Sequence, residues 1–193
     1  MDSLGSCAGS GFRRVRLGSR AMAVCGFDEE LLGRGVTYSP PLPVQGFVDV
    51  DLPVEILWQR FCEVERWGEW NRCFQRAWVR GGAPLQAGSE LVLLFRPIKA
   101  WLGYRLPGPV QVVEVEAERR VTWEANTMGF HARHSYLFEK LDERRSRFGS
   151  FEVAEGPAYR ATRAFWVAHF DFVCRESLAG ARSLGGAAQQ ALG

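Results

Sequence analysis

Three histidines, a glutamate and a tyrosine in the second half of the chain are able to move protons. His131, His134 and Tyr136 fall in one alternating run, Glu152 in the next, and His169 in a stretch with helical spacing. Successive side chains of a strand point to opposite faces, so His134, Tyr136 and Phe138 share one face, and His131, Arg133 and Glu139 the other. In the following run Ser146, Phe148, Ser150 and Glu152 align. A carboxylate and two imidazoles brought together in an apolar enclosure can act as general acid and base. Taken singly, each such group is more often a core residue satisfied by hydrogen bonds. His131 and His134 cannot share a metal from opposite faces, and no Cys or acidic pair completes a set. No metal and no cofactor is expected. The chain has no Gly-rich phosphate loop followed by Lys, and no Gly-x-Ser-x-Gly at a strand-to-helix elbow. It also lacks the Cys-x-His and Cys-x-x-His pairs of an iron–sulfur domain.

The elements that would position these groups begin at residue 46. Phe47, Val50 and Leu52 interleave with Asp49 and Asp51, as in a half-buried strand with one break in phase. Pro53 suits a first helical turn, and Ile56, Leu57, Phe61 and Val64 recur at helical spacing. A second short helical turn through Trp67, Gly68 and Trp70 leads to a strand at Phe74, Ala77 and Trp78. Further strands are expected at 90–96, 110–116, 121–126, 130–141 and 146–153, joined by short polar or Gly-containing turns. Such consecutive hairpins give an antiparallel sheet. In the strand at 121–126, Val121, Trp123 and Ala125 face inward, while Thr122, Glu124 and Asn126 face solvent.

From 158 to 184 the period becomes helical. Tyr159, Thr162, Trp166, His169, Phe170, Val173, Ser177, Gly180, Ala181 and Leu184 share one side of a single expected helix. Residues 97–109 are unusually apolar for a loop, carrying Ile98, Trp101, Leu102 and Tyr104 between prolines. They are expected to close over a cavity mouth, or to touch a membrane surface or a partner.

The 193 residues fit one domain, expected at 44–187. Residues 1–43 read as a flexible extension, either a transit segment or a misassigned start ahead of Met22, and 188–193 as a disordered tail. From residue 44 on there are 19 basic and 18 acidic residues, a balance that argues against nucleic acid as a partner. Five cysteines with no Cys-x-x-Cys pair point to a reducing compartment. No apolar run reaches the ~18 residues of a transmembrane helix. The expected location is the cytoplasm, or an organelle if the N-terminus is a transit segment.

The run Pro53-Val54-Glu55-Ile56-Leu57-Trp58, followed by Val64-Glu65-Arg66-Trp67-Gly68-Glu69-Trp70-Asn71, resembles the opening of the polyketide cyclase/dehydrase and lipid-transport proteins of the START-like (SRPBCC) superfamily. Ser146-x-Phe148-x-x-x-Glu152 resembles that family's Thr-x-Leu-x-x-x-Glu, whose Glu points inward. The resemblance implies an α+β helix-grip fold: a seven-stranded curved antiparallel sheet, two short helices after the first strand, and a long C-terminal helix across the concave face. It also implies an internal hollow for a hydrophobic small molecule such as a lipid, isoprenoid or polyketide. Residues expected to line it are Trp58, Trp123, His134, Tyr136, Phe138, Phe148, Glu152, Trp166, His169 and Phe170. Three functions stay open. The first is a binder or carrier. The second is a cyclase/dehydratase using His134, Glu152 and His169 to enolise a ketone and protonate a leaving hydroxyl. The third is a coenzyme-Q-type chaperone or interaction module docking through 97–109.

Overall fold

The structure, a computed structural model, describes residues 44–96 and 107–190. The expected extension 1–43 and the loop residues Ile98, Trp101, Leu102 and Tyr104 lie outside the described residues. Seven strands, β1 (Val44–Val50), β2 (Phe74–Val79), β3 (Glu90–Phe95), β4 (Pro107–Glu116), β5 (Arg120–Thr127), β6 (Phe130–Lys140) and β7 (Ser146–Glu155), form one antiparallel sheet. Its order is β1-β7-β6-β5-β4-β3-β2. Every strand from β2 to β6 pairs with its successor, and β7 pairs with β1. The segment between β1 and β2 therefore crosses from one edge of the sheet to the other.

That crossing is made by α1 (Val54–Cys62), a 3₁₀ turn (Val64–Arg66) and α2 (Trp67–Trp70). Pro53 caps α1 in extended geometry, Glu55 sits in the first turn and Arg60 in the last, the arrangement that the helix dipole favours. The buried face of α1 is Val54, Leu57 and Phe61. Ile56 departs from the expected stripe: it is 40% exposed, because the helix starts at Val54 and turns that residue inward instead. At the far end of α1 the Trp67 indole N–H donates to the Phe61 carbonyl at 2.6 Å. This bond satisfies a carbonyl that a helix end otherwise leaves open, and it fixes α2 against α1.

Four other expectations are corrected. The inward residues of β1 are Val48 and Val50, while Phe47 lies on the outer face with its ring edge to Phe151, 6.5 Å away. Thr122 is fully buried rather than solvated, because its hydroxyl bonds Ser135 at 2.9 Å and Glu114 at 3.0 Å across neighbouring strands. The stretch 97–109 is not all loop, since β4 begins at Pro107 and runs opposite β3. The C-terminal helix is two helices, α3 (Pro157–Ala161) and α4 (Arg163–Gln190). At Thr162 the backbone leaves helical geometry (φ −119°, ψ 24°), and the Thr162 hydroxyl bonds the Ala158 carbonyl at 2.7 Å in competition with the helix. Side-chain periodicity survives such a break, which is why the pattern does not register it. The second helix continues past Leu184 into the first residues of the segment read as a tail.

Glycines allow α4 to lie close against the sheet and the wedge. A Cβ on Gly46 would press on the Leu178 side chain of α4, and one on Gly180 would collide with the Trp70 carbonyl. The helix rests mainly on β1 and β7. Seated toward one flank of a curled sheet, it leaves the concave surface of β3 to β6 partly uncovered.

Candidate functional site

The concave face is filled at one end and hollow at the other. At the filled end α1 and α2 drive Phe61 and Trp67 between sheet and helix. Phe61 lies 5.1 Å from Tyr136, 5.0 Å from Phe138 and 6.2 Å from Phe148, and Trp58 sets its edge on Phe138 at 5.2 Å. A buried polar network ties the three layers together here. The Asn71 amide donates to the Ser177 hydroxyl at 2.8 Å, Asn71 Oδ1 accepts the Cys73 N–H at 3.1 Å, and the Tyr136 hydroxyl meets Ser177 at 2.7 Å. Burial, and then the nearby Cys73, push the Tyr136 phenol well above its ordinary range. Tyr136 stays protonated and serves as a structural hydrogen-bond group.

At the other end lies a hollow of about 470 Å³. Phe74, Phe95, Trp123, Phe130, Trp166 and Phe170 supply its aromatic wall. The exposed residues of its lining, Pro109, Asn126 and Thr127, mark where it meets solvent. Its polar groups come from the sheet floor and the helix. Trp123, His134 and Glu152 are direct neighbours across β5, β6 and β7 in the strand register. The Trp123 ring stacks on His134 with centroids 4.9 Å apart, and a Glu152 oxygen contacts His134 Nδ1. One proton held between Glu152 and Nδ1 makes this contact a hydrogen bond. His134 Nε2 lies 3.1 Å from the Ser150 hydroxyl, within hydrogen-bond reach. Both ring nitrogens are therefore engaged, and the contact with His134 uses one of the two Glu152 oxygens, Oε2.

His169 reaches the hollow from α4, its ring 4.8 Å from Phe95 and 5.8 Å from Trp166. Burial, reinforced by nearby His134, lowers its pKa to about 4, so its imidazole is neutral at physiological pH. The thiols are equally quiet. Burial raises Cys62 and Cys174 to about 11, which leaves them protonated and poor nucleophiles.

Of the residues expected to face a ligand, Trp123, His134, Glu152, Trp166, His169 and Phe170 line this hollow. Trp58, Tyr136, Phe138 and Phe148 do not, because the wedge packs them into the filled end. Strand parity states the face a side chain points to, but not how far along the helix it sits. The lining also includes Phe74, Leu93, Phe95, Phe130, Ala132 and Val173. Parity carried two and four residues back from His134 reaches Ala132 and Phe130, so those two are readable from the sequence. No group of His, Cys, Asp and Glu able to hold a metal occurs among the described residues. No described helix is long and apolar enough to cross a membrane.

Neither a family model nor a curated protein matches the sequence. Solved structures do match in shape. The Zhui aromatase/cyclase from Streptomyces sp. R1128 superposes with a TM-score of 0.62 at 12% identity, over 79% of this chain and 98% of that one. The Thermus thermophilus protein TTHA0849 gives 0.60 at 14% identity, over 76% and 99%. A START superfamily protein from Mycobacterium smegmatis gives 0.51 at 17% identity, over 77% and 98%. Identities this low carry the fold alone, and the strand order, the paired helices after β1 and the long terminal helix agree with it: the chain has the START-like (SRPBCC) helix-grip fold.

Proposed function

We propose that the chain binds a hydrophobic small molecule in the hollow between β3–β6 and α4, as a carrier or sequestering protein. The observation that carries this reading is the 470 Å³ space itself, walled by aromatic and aliphatic side chains at the one end of the grip that the wedge leaves unfilled. Enclosure of an apolar molecule there contributes about 25 cal/mol per Å² of apolar surface removed from water, before the costs of association. Glu152 and His169 add a few polar contacts that orient the ligand. Native mass spectrometry of the protein from its own cells should reveal a co-purifying small molecule in substoichiometric to equal amount. Val173→Trp, which projects a large ring into the hollow, should lose it. A protein that retains no small molecule and takes up none from solution would refute the reading.

A second reading is supported by the paired His134 and Glu152 at the wall, with neutral His169 lining the same hollow, and by the fold shared with an aromatase/cyclase. In a cyclase/dehydratase, Glu152 would take the proton alpha to a ketone while His134 holds the carboxylate in place. The enolate would close on a second carbonyl of the same substrate, the protonated Glu152 would return its proton to the new alkoxide, and loss of the remaining alpha proton to Glu152 with protonation of the aldol hydroxyl would release water and leave the double bond. The contact of His134 Nε2 with Ser150 weighs against an imidazole base and so favours the carrier reading. Turnover of a polyketone substrate that His134→Ala, Glu152→Ala and His169→Ala each abolish, with the substrate still bound, would reverse that preference.

A further inference from the structure

The hollow is electrically one-sided. Among its described lining residues Glu152 is the only carboxylate, His134 and His169 are the only other groups able to carry charge, and there is no Lys or Arg. A positive charge would have to come from an imidazole. His134 lies against Glu152, so protonating it yields a pair with no net charge. Burial, and then the nearby His134, hold His169 at about 4. The hollow can therefore offer a ligand a negative group, and offers a positive one only at the cost of charging a buried ring.

The carboxylate is also set deep. Glu152 is opposite His134 in the strand register, and His134 is opposite Trp123. The mouth lies at Asn126 and Thr127, so Trp123 is four residues further in along β5, about 13 Å at the rise of a strand. Tyr136, two residues beyond His134 on β6, already belongs to the filled end. Between this inner carboxylate and the mouth stand the rings of Trp123, Phe130, Trp166 and Phe170. Aromatic faces attract a cation and equally bury an apolar body.

We propose that the ligand is a basic amphiphile, an apolar body with one protonated amine, which enters amine first and seats the ammonium against Glu152. An amine of this kind stays charged at neutral pH, as a lysine side chain does in water. Its desolvation inside the hollow is offset by the carboxylate and by the ring faces, whereas an acid of the same length meets a like charge there. The proposal rests on the reading of the hollow as a ligand site and adds the class of molecule that site selects.

The test is displacement of Nile red from the full chain at neutral pH by three probes of equal chain length: dodecylamine, dodecanol and dodecanoate, each below its micellar concentration. Dodecylamine should bind about tenfold more tightly than dodecanol, the gain of a hydrogen bond between two charged groups over one with a neutral donor. Dodecanoate should bind at least tenfold more weakly than dodecanol, because like charges are brought together. Glu152→Gln should erase the lead of the amine over the alcohol and narrow the deficit of the acid. The order of the three probes on the wild type decides the matter by itself if that variant does not fold. Dodecanoate binding as well as dodecylamine, or a lead of the amine that persists in Glu152→Gln, would overturn the proposal. Wild type that takes up Nile red but shows no preference for the amine refutes this inference and leaves the ligand site standing. Wild type that takes up no Nile red refutes both.

Discussion

The two ends of the grip share the same helix, the same sheet and a similar supply of aromatic rings, yet one is solid and the other hollow. What differs is insertion. At the solid end Phe61 and Trp67 come from a third layer, the wedge between β1 and β2, and fill the space that a curled sheet cannot close by itself. At the hollow end Phe95, Phe130 and Trp166 project only from the sheet and helix, and their rings line the gap without bridging it. Dense packing and open space are thereby separated along one helix. The filled end holds the fold together, and the open end is spared from doing so.

Substitutions should sort by end. Trp67→Ala removes a fully buried indole and its bond to the Phe61 carbonyl, and should cost about 3–5 kcal/mol in a denaturant titration. The largest effect of the open end is on pH dependence. His169 protonates at about 4 in the folded chain and at an ordinary 6.5 when unfolded. Above 6.5 neither state is protonated, whereas between 6.5 and 4 the unfolded state alone gains the proton. Stability is therefore full above 6.5 and falls as pH drops to 4, by up to about 3 kcal/mol, and is flat below. His169→Phe should remove that slope in melting curves taken across this window. Asn71→Ala leaves the buried Cys73 N–H without its acceptor, removes one of the two partners of Ser177, and should cost about 1–3 kcal/mol. The smallest change is expected for Ala132→Leu in the open end, which adds volume where space exists and should move stability by less than about 1 kcal/mol while weakening ligand uptake. An Ala132→Leu as damaging as Trp67→Ala would erase the distinction between the ends.

Much of this architecture is written in the sequence. The wedge announces itself through Pro53 and the spacing of Leu57, Phe61 and Trp67, and the inward set His134, Tyr136 and Phe138 follows from alternation alone. Other features depend on relations that a linear pattern lacks. The fate of Tyr136 and Phe138 was decided by the wedge reaching them, and the fate of His134, two and four residues before them along the same face, by the wedge stopping short. The burial of Thr122 depends on Ser135 and Glu114 lying across two strand pairings. The pairing of His134 with Glu152 depends on register, which sets them directly opposite, and that of His134 with Ser150 on the adjacent diagonal position. The break at Thr162 is backbone geometry under an unbroken side-chain period.

The central claim, that the end without the wedge holds an apolar ligand, is tested most directly by titrating the protein with a neutral environment-sensitive dye such as Nile red. Wild type and Phe138→Leu, altered only in the filled end, should show saturable one-to-one uptake, and Val173→Trp should show none. Uptake unchanged by Val173→Trp, or absent from the wild type, would contradict the account.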